Sequence, residues 1–258
     1  MLIMRQDDRF SVILRELAEV GSVSIGALAP RLGVSKASVR RDLQLLEERH
    51  LLTRTHGGAT ATGILLDLPL RYGAGSHRAV KQRIAAAAIE RVSGDVNVVG
   101  FTGGTTTTEV ARALADRAGL TIVTNALNIA SELALRKNLK LFVTGGVARA
   151  ESYELLGPLA EAALRGFNLD VVFIGVNGIS VRGGATTREE DDAHTVAALI
   201  DHARIVIAVT ESAKIGKVTF ARICDIERLD ELVTDSEGDQ SELAAIEAAG
   251  VRLTLVQP

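Results

Sequence analysis

Two stretches of this 258-residue chain carry side chains suited to chemistry with anions: Ser35-Lys36-Ala37-Ser38-Val39-Arg40-Arg41-Asp42-Leu43 and Thr102-Gly103-Gly104-Thr105-Thr106-Thr107-Thr108. In the first, Ser35 is a good helix N-cap. Val39, Leu43 and Leu46 recur at i, i+4 and i+7, so one stripe can bury while Lys36, Ser38, Arg40 and Arg41 occupy the free faces. Such side chains near a helix N-terminus suit a polyanion, and the stretch reads as a helix that enters DNA; a solvated helix face is the plainer alternative. In the second stretch, glycines let backbone N–H groups approach an anion and hydroxyls add donors. The helix that follows, residues 109–117, adds positive potential, which makes a phosphate cradle, although a tight strand-to-helix turn uses the same composition. The Gly-Lys-Ser/Thr ending of a nucleoside-triphosphate loop and the full dinucleotide fingerprint are both missing. A sugar phosphate or similar small ester therefore fits better than ATP or NAD.

These residues need elements to hold them. Phe10, Ile13, Leu14, Leu17, Ala18 and Val20 follow helical spacing up to Gly21. Ser24 can cap a short helix holding Leu28 and Leu32, which Gly33 ends before the Ser35 cap. After Glu48, Leu51 to Thr55 can form a strand and Gly57-Gly58 a turn, a small wing whose Arg54 can reach phosphate or the minor groove. Residues 1–60 thus read as a winged helix-turn-helix. Residues 61–76, rich in Gly, Thr and Leu with one Pro, read as a linker. In residues 77–258, a helix over His77 to Val92 turns Val80, Ile84, Ala88 and Ile89 inward. Short apolar runs then alternate with helices at 96–101, 120–123, 139–143, 171–174, 205–209, 232–233 and 251–255. That alternation predicts an α/β domain with a mainly parallel sheet covered on both faces.

Bulk properties narrow the partners. Nine basic side chains face seven acidic ones in residues 1–60, a net of +2 that leaves −5 for the remainder; this is compatible with DNA contact only where the bases share one face. Aromatics make up 3% of the chain, with no Trp, which disfavours stacking on single-stranded RNA. The single Cys224 fits a reducing compartment, no apolar run approaches a membrane span, and Arg5, Asp7, Asp8 and Arg9 interrupt any signal-peptide core; the expected location is the cytoplasm.

Polar residues gather at the expected strand ends: Thr124-Asn125, Thr144-Gly145-Gly146, Gly175 to Gly178, Thr186-Thr187 and Glu211-Ser212-Ala213-Lys214. Open parallel sheets bind ligands there. An enzyme that abstracts a proton beside a carbonyl would need a base in reach, for which Glu211, Asp170 and Lys214 are the candidates. No nucleophile elbow occurs, and Asp191-Asp192-Ala193-His194 reads as a solvated helix face rather than a metal site. Catalysis is not expected, and neither a metal nor a cofactor is required.

Val34-Ser35, Ser38-Val39-Arg40-Arg41-Asp42-Leu43, Leu46, Leu52-Thr53-Arg54 and His56-Gly57-Gly58-Ala59 resemble the N-terminal signature of the DeoR-type bacterial transcriptional regulators. The strand-end motifs resemble the effector domain of the same regulators, a fold shared with ribose-phosphate isomerase and coenzyme A transferases. The resemblance implies a repressor of a sugar or polyol catabolism operon, working on double-stranded operator DNA as a homodimer or homotetramer and released by a phosphorylated sugar or polyol. A sugar-phosphate-binding enzyme with an accessory DNA module is the alternative. It further implies DNA contacts from Ser35, Lys36, Ser38, Arg40, Arg41, Arg54 and His56. Effector contacts fall to Gly104, Thr105, Thr106, Thr107, Asn125, Gly145, Gly146, Asn177 and Lys214. Three positions depart from the pattern: Thr102 stands where an Asp is usual, Glu211-Ser212-Ala213-Lys214 replaces Asp-x-Ser-Lys, and Val196 or Ala197 replaces a basic residue.

Overall fold

Helical periodicity in the first sixty residues and strand-helix alternation in the remainder give two separate units in the computed structural model, residues 1–78 and 79–258. The structure describes residues 22–48, 52–60 and 78–258, together with positions 6, 9, 10, 12, 13, 16 and 17. The expected linker over 61–76, and with it Gly21, Arg49, His50, Leu51 and His77, lies outside the described residues.

In the first unit the described positions between 6 and 17 are helical, with Phe10, Ile13 and Leu17 buried. Strand β1 (Ser22–Ser24) leads into α1 (Ile25–Leu32), whose start is capped by the Ser24 hydroxyl accepting from the Ala27 N–H at 3.1 Å. Gly33 ends α1 with φ 65°, a left-handed conformation that glycine adopts without a Cβ clash. Helix α2 (Lys36–Glu48) opens with the Ser38 N–H donating to Ser35 Oγ at 3.1 Å, the expected cap. Its stripe of Val39, Leu43 and Leu46 is wholly buried against Ile13, Leu17, Leu28 and Leu32. Strands β2 (Thr53–Thr55) and β3 (Gly58–Thr60) form the wing, joined through His56 and Gly57, and β3 also pairs with β1. The wing strand begins at Thr53 rather than 51, and Leu52 is buried in the core.

The second unit begins with α3 (Arg78–Ile89) and continues through β4 (Val98–Phe101), α4 (Thr105–Ala113), β5 (Thr121–Thr124), α5 (Leu127–Leu133) and β6 (Lys140–Val143). A hairpin of β7 (Val147–Arg149) and β8 (Glu154–Leu156) follows, then α6 (Pro158–Leu164) and β9 (Leu169–Ile174). Strands β10 (Gly178–Ser180) and β11 (Gly184–Thr187) precede α7 (Glu190–Asp201) and β12 (Ala203–Val209). The chain ends through β13 (Ala221–Cys224), β14 (Glu231–Asp235), α8 (Gln240–Ala248) and β15 (Arg252–Val256). All seven expected runs become strands of one parallel sheet ordered β6-β5-β4-β9-β12-β14-β15.

Both faces of that sheet are buried, which is why its strands read as continuous apolar runs. Val172 and Ile174 of β9 join one core with Leu199 of α7 and Ile246 of α8. Val171 and Phe173, pointing the opposite way, join the other with Ile84 of α3, Val110 of α4 and Ile129 of α5. Sequence reading did not anticipate the β7-β8 hairpin or the antiparallel sheet β10-β11-β13.

The order of strands positions the site. From β4 the chain proceeds outward through β5 and β6, and then returns to place β9 against the opposite side of β4. The connections therefore diverge between β4 and β9, leaving a crevice at their carboxyl ends.

Candidate functional site

The first unit presents a cationic face. Lys36, Arg40 and Arg41 are exposed and make no ion pair among the described residues, so α2 carries three unneutralised charges beside its N-terminus. Ser35 and Ser38 share a hydrogen bond at 3.0 Å at the same end. Arg54 and His56 are exposed on the wing, but Arg54 lies 3.7 Å from Glu47, which partly offsets its charge. Asp42, between these bases in sequence, points the other way. It is 1% exposed and held by Arg9 Nε at 2.7 Å, Arg9 Nη2 at 3.0 Å and Gln6 Nε2 at 3.1 Å. This bidentate pair ties the first helical stretch to α2, while the neighbouring Arg40 and Arg41 make no ion pair among the described residues.

In the second unit the expected effector residues fall along the carboxyl ends of five adjacent strands: Lys214 after β12, Asn177 after β9, Gly104 to Thr107 after β4, Asn125 after β5, and Gly145 and Gly146 after β6. With neighbouring strands ~4.8 Å apart the row spans roughly 19 Å, longer than any monosaccharide phosphate. A single ligand of that kind can bridge only the ends of β9, β4 and β5; Lys214 reaches the first of these from beyond β12, its Nζ lying on Val176 O.

Gly104, with φ 133°, precedes α4 and offers no side-chain cap. Among the described residues no acceptor takes the N–H groups of Thr105, Thr106 and Thr107. Thr107 and Thr108 turn their hydroxyls back onto Gly104 O at 2.9 and 2.6 Å, so Thr107 can offer an anion its N–H but not a free hydroxyl. Thr102 Oγ1 accepts from the Gly175 N–H at 2.9 Å and bridges the two loops of the crevice.

Lys214 Nζ donates to Val176 O at 2.5 Å, and burial lowers its pKa, partly opposed by Glu211. Glu211 pairs with Lys81 at 3.3 Å. Asn177 Oδ1 accepts from Thr187 Oγ1 at 2.9 Å, joining the β9 end to β11. Gly145 is exposed, whereas Gly146 packs on Leu156, where a Cβ would come within 2.7 Å of the carbonyl oxygen. Asp170, weighed as a base, accepts from the Asn97 and Val98 N–H groups at 2.8 and 2.9 Å; all three lie at the amino ends of the strands, away from the crevice.

Two residues that the sequence did not single out, Glu154 and Arg149, and one that it assigned to a solvated face, Asp192, lie beside the rim. Glu154 of β8 is 7% exposed and its Oε1 accepts from the Gly103 N–H at 2.8 Å and from Asn125 Nδ2 at 3.3 Å. The carboxyl group missing at Thr102 thus reaches the loop from a hairpin instead. Burial pushes its pKa up to about 7, the Gly103 N–H working against the shift. Asp192 is not on a solvated face as expected: it is buried and bound by Arg149 at 3.0 Å, and its pKa is raised by burial against the pull of Arg149. Arg149 also reaches Glu189 at 3.1 Å, so the hairpin is clamped onto the start of α7. Among the described residues no group of three or more His, Cys, Asp or Glu is placed to hold a metal ion, and no helix is long and apolar enough to cross a membrane.

A winged helix with an exposed cationic face, carried on the same chain as an α/β sheet with a donor-rich crevice at its switch point, defines a ligand-responsive DNA-binding regulator. Residues 9–63 match the DeoR-like helix-turn-helix domain and residues 76–236 match the DeoR C-terminal sensor domain; the chain belongs to the DeoR family of transcriptional regulators. It is 35% identical to the HTH-type transcriptional regulator GlpR of Haloferax volcanii, over 88% of this chain and 89% of that one. It is 28% identical to the glycerol-3-phosphate regulon repressor of Escherichia coli K12, over 98% and 100% of the respective chains. Ribose 5-phosphate isomerase A from Methanocaldococcus jannaschii aligns loosely, with 14% identity and a TM-score of 0.39 over 54% of this chain and 55% of that one. The protein is a regulator rather than an enzyme, with DNA and a small effector as its kinds of partner.

Proposed function

We propose that the protein is a cytoplasmic repressor that binds the operator of a sugar or polyol operon as a homodimer or homotetramer and leaves it when a small phosphate ester occupies the crevice between β4 and β9. The observation that carries this reading is the start of α4 at the switch point: it has no side-chain cap, the N–H groups of Thr105 to Thr107 find no acceptor among the described residues, and Thr102 Oγ1 ties the loop before it to Gly175 after β9. The relative named for a glycerol-3-phosphate regulon supports a phosphate ester of this size. Lys36, Ser38, Arg40 and Arg41 supply the DNA contacts, with Ser35 as cap and Arg54 and His56 on the wing. Gly104 to Thr107 hold the phosphate, with Asn125, Asn177 and Lys214 on its flanks and Gly145 and Gly146 shaping the outer rim. The effector must prefer the released state by about 1–3 kcal/mol for such coupling.

Footprinting upstream of the protein's own operon, with and without sugar and polyol phosphates, tests this. Thr106→Val and Lys214→Ala are expected to keep operator binding and lose release by the ester. Release at wild-type ester concentrations in both variants would remove the crevice from the mechanism.

A further inference from the structure

We propose that Glu154 is the residue with which the crevice selects its effector, its carboxyl accepting a hydrogen bond from a hydroxyl or an amine of the phosphate ester. The inference rests on the phosphate-ester reading above. Its basis is an excess of buried acceptors beside a loop rich in donors. Asn125 Oδ1 is buried without a partner among the described residues, and its amide nitrogen is already spent on Glu154 and on Leu155 O. Asp192 Oδ1 is likewise buried and unpartnered, while Oδ2 is held by Arg149. Glu154 has no cation within ion-pair distance among the described residues, although its side chain is almost wholly enclosed.

Buried acceptors are ordinarily matched by donors, and an ionised carboxylate most of all. Glu154 draws only neutral donors from the protein, Gly103, Asn125 and Ser152, and the N–H groups that find no acceptor among the described residues stand at the start of α4, where they suit a phosphate. A ligand that carries an anionic group at one end and O–H or N–H groups at the other satisfies both sets at once. The loop is also cut to admit this carboxyl: a Cβ on Gly103 would fall 2.5 Å from Glu154 Cγ and Cδ. Glu154 thereby comes within hydrogen-bond distance of the residue that precedes the cradle.

The test measures binding of inorganic phosphate, glycerol 3-phosphate, glucose 6-phosphate and glucosamine 6-phosphate to the full chain by calorimetry, for wild type, Glu154→Gln and Glu154→Asp. Gln keeps the size and an acceptor but cannot carry charge; Asp keeps the charge and withdraws it by one methylene. The expected result is that both variants bind inorganic phosphate within about twofold of wild type and lose at least tenfold for the ester wild type prefers. A preference for the glucosamine ester that disappears in Glu154→Gln identifies an amine as the donor; parallel losses for both hexose esters identify a hydroxyl. An unchanged ranking of the four ligands, or a uniform loss that includes inorganic phosphate, overturns the assignment. Wild type that binds none of the four removes the phosphate-ester reading itself, and this inference with it.

Discussion

The Gly103 N–H donates to Glu154 Oε1 at 2.8 Å across 51 residues of sequence, so the loop after β4 is held by a carboxyl that arrives from a hairpin. Burial keeps that carboxyl up at about 7, against 4.5 for an ordinary glutamate. Below pH 4.5 the group is neutral in both the folded and the unfolded chain and has no effect on stability. Between 4.5 and 7 the unfolded chain ionises first and stability drains away; above 7 the full cost is felt, on the order of 3 kcal/mol. Asp192 on α7 pushes in the same direction, and the Gly103, Asn125 and Ser152 hydrogen bonds push against it. Glu154→Gln removes the ionisation, and its denaturant midpoint for the α/β unit should gain steadily on wild type from pH 4.5 to 8. Parallel pH curves for the two proteins would contradict this account.

Asp42 and the arginines beside it should separate stability from DNA binding. Asp42→Ala leaves Arg9 without its buried partner and should destabilise the winged-helix unit by about 3 kcal/mol. Arg40→Ala, on an exposed side chain with no ion pair among the described residues, should move stability by less than about 0.5 kcal/mol while operator binding falls. Thermal unfolding beside gel-shift titration checks both; equal destabilisation by the two variants would refute the division.

Ionic strength sorts the cations of α2. Each of Lys36, Arg40 and Arg41 that rests on a phosphate should, when replaced by Ala, lower the slope of log affinity against log salt by about 0.9. Arg54→Ala should change it less, because Glu47 already stands 3.7 Å away. Three unchanged slopes on α2 would move the DNA interface elsewhere.

Two adjacent wing glycines should behave oppositely. A Cβ on Gly58 would meet Val23 O at 1.8 Å, so Gly58→Ala must part β3 from β1 and should cost about 2 kcal/mol or more. At Gly57 nothing lies within 4 Å, and Ala there should be tolerated. Urea melts of the two variants decide the matter, and similar midpoints would count against this packing.

Much of this architecture was legible because it depends on local chemistry. The Ser24, Gly33 and Ser35 signals mark backbone events within three residues of themselves, and runs such as Val171 to Ile174 show a strand buried on both faces. The β7-β8 hairpin escaped notice because its strands are three residues long, rich in charge and exposed on β7, with a turn that uses Tyr153 at φ 56° instead of glycine. Glu154 and Asp192 escaped for a different reason. An acidic side chain in sequence looks the same whether it ends in water or beneath Asn125, and only tertiary packing makes that choice. Asp42 shows the same limit: nothing local in the sequence names its partner, Arg9, which lies 33 residues away.

The seam between β4 and β9 has a consequence for the order in which the protein is made. Val99 pairs with Val171 and Phe101 with Phe173, so the crevice joins a strand synthesised early to one that leaves the ribosome some seventy residues later. A nascent chain that stops before β9 has the Gly104 cradle but no Gly175 opposite it, and β4 is left as an open edge. On the proposed reading, the effector's crevice is complete only once β9 has paired with β4. A molecule seated in the crevice spans that joint and fastens the two halves, so its binding should be felt as mechanical reinforcement along the line where the sheet would otherwise separate.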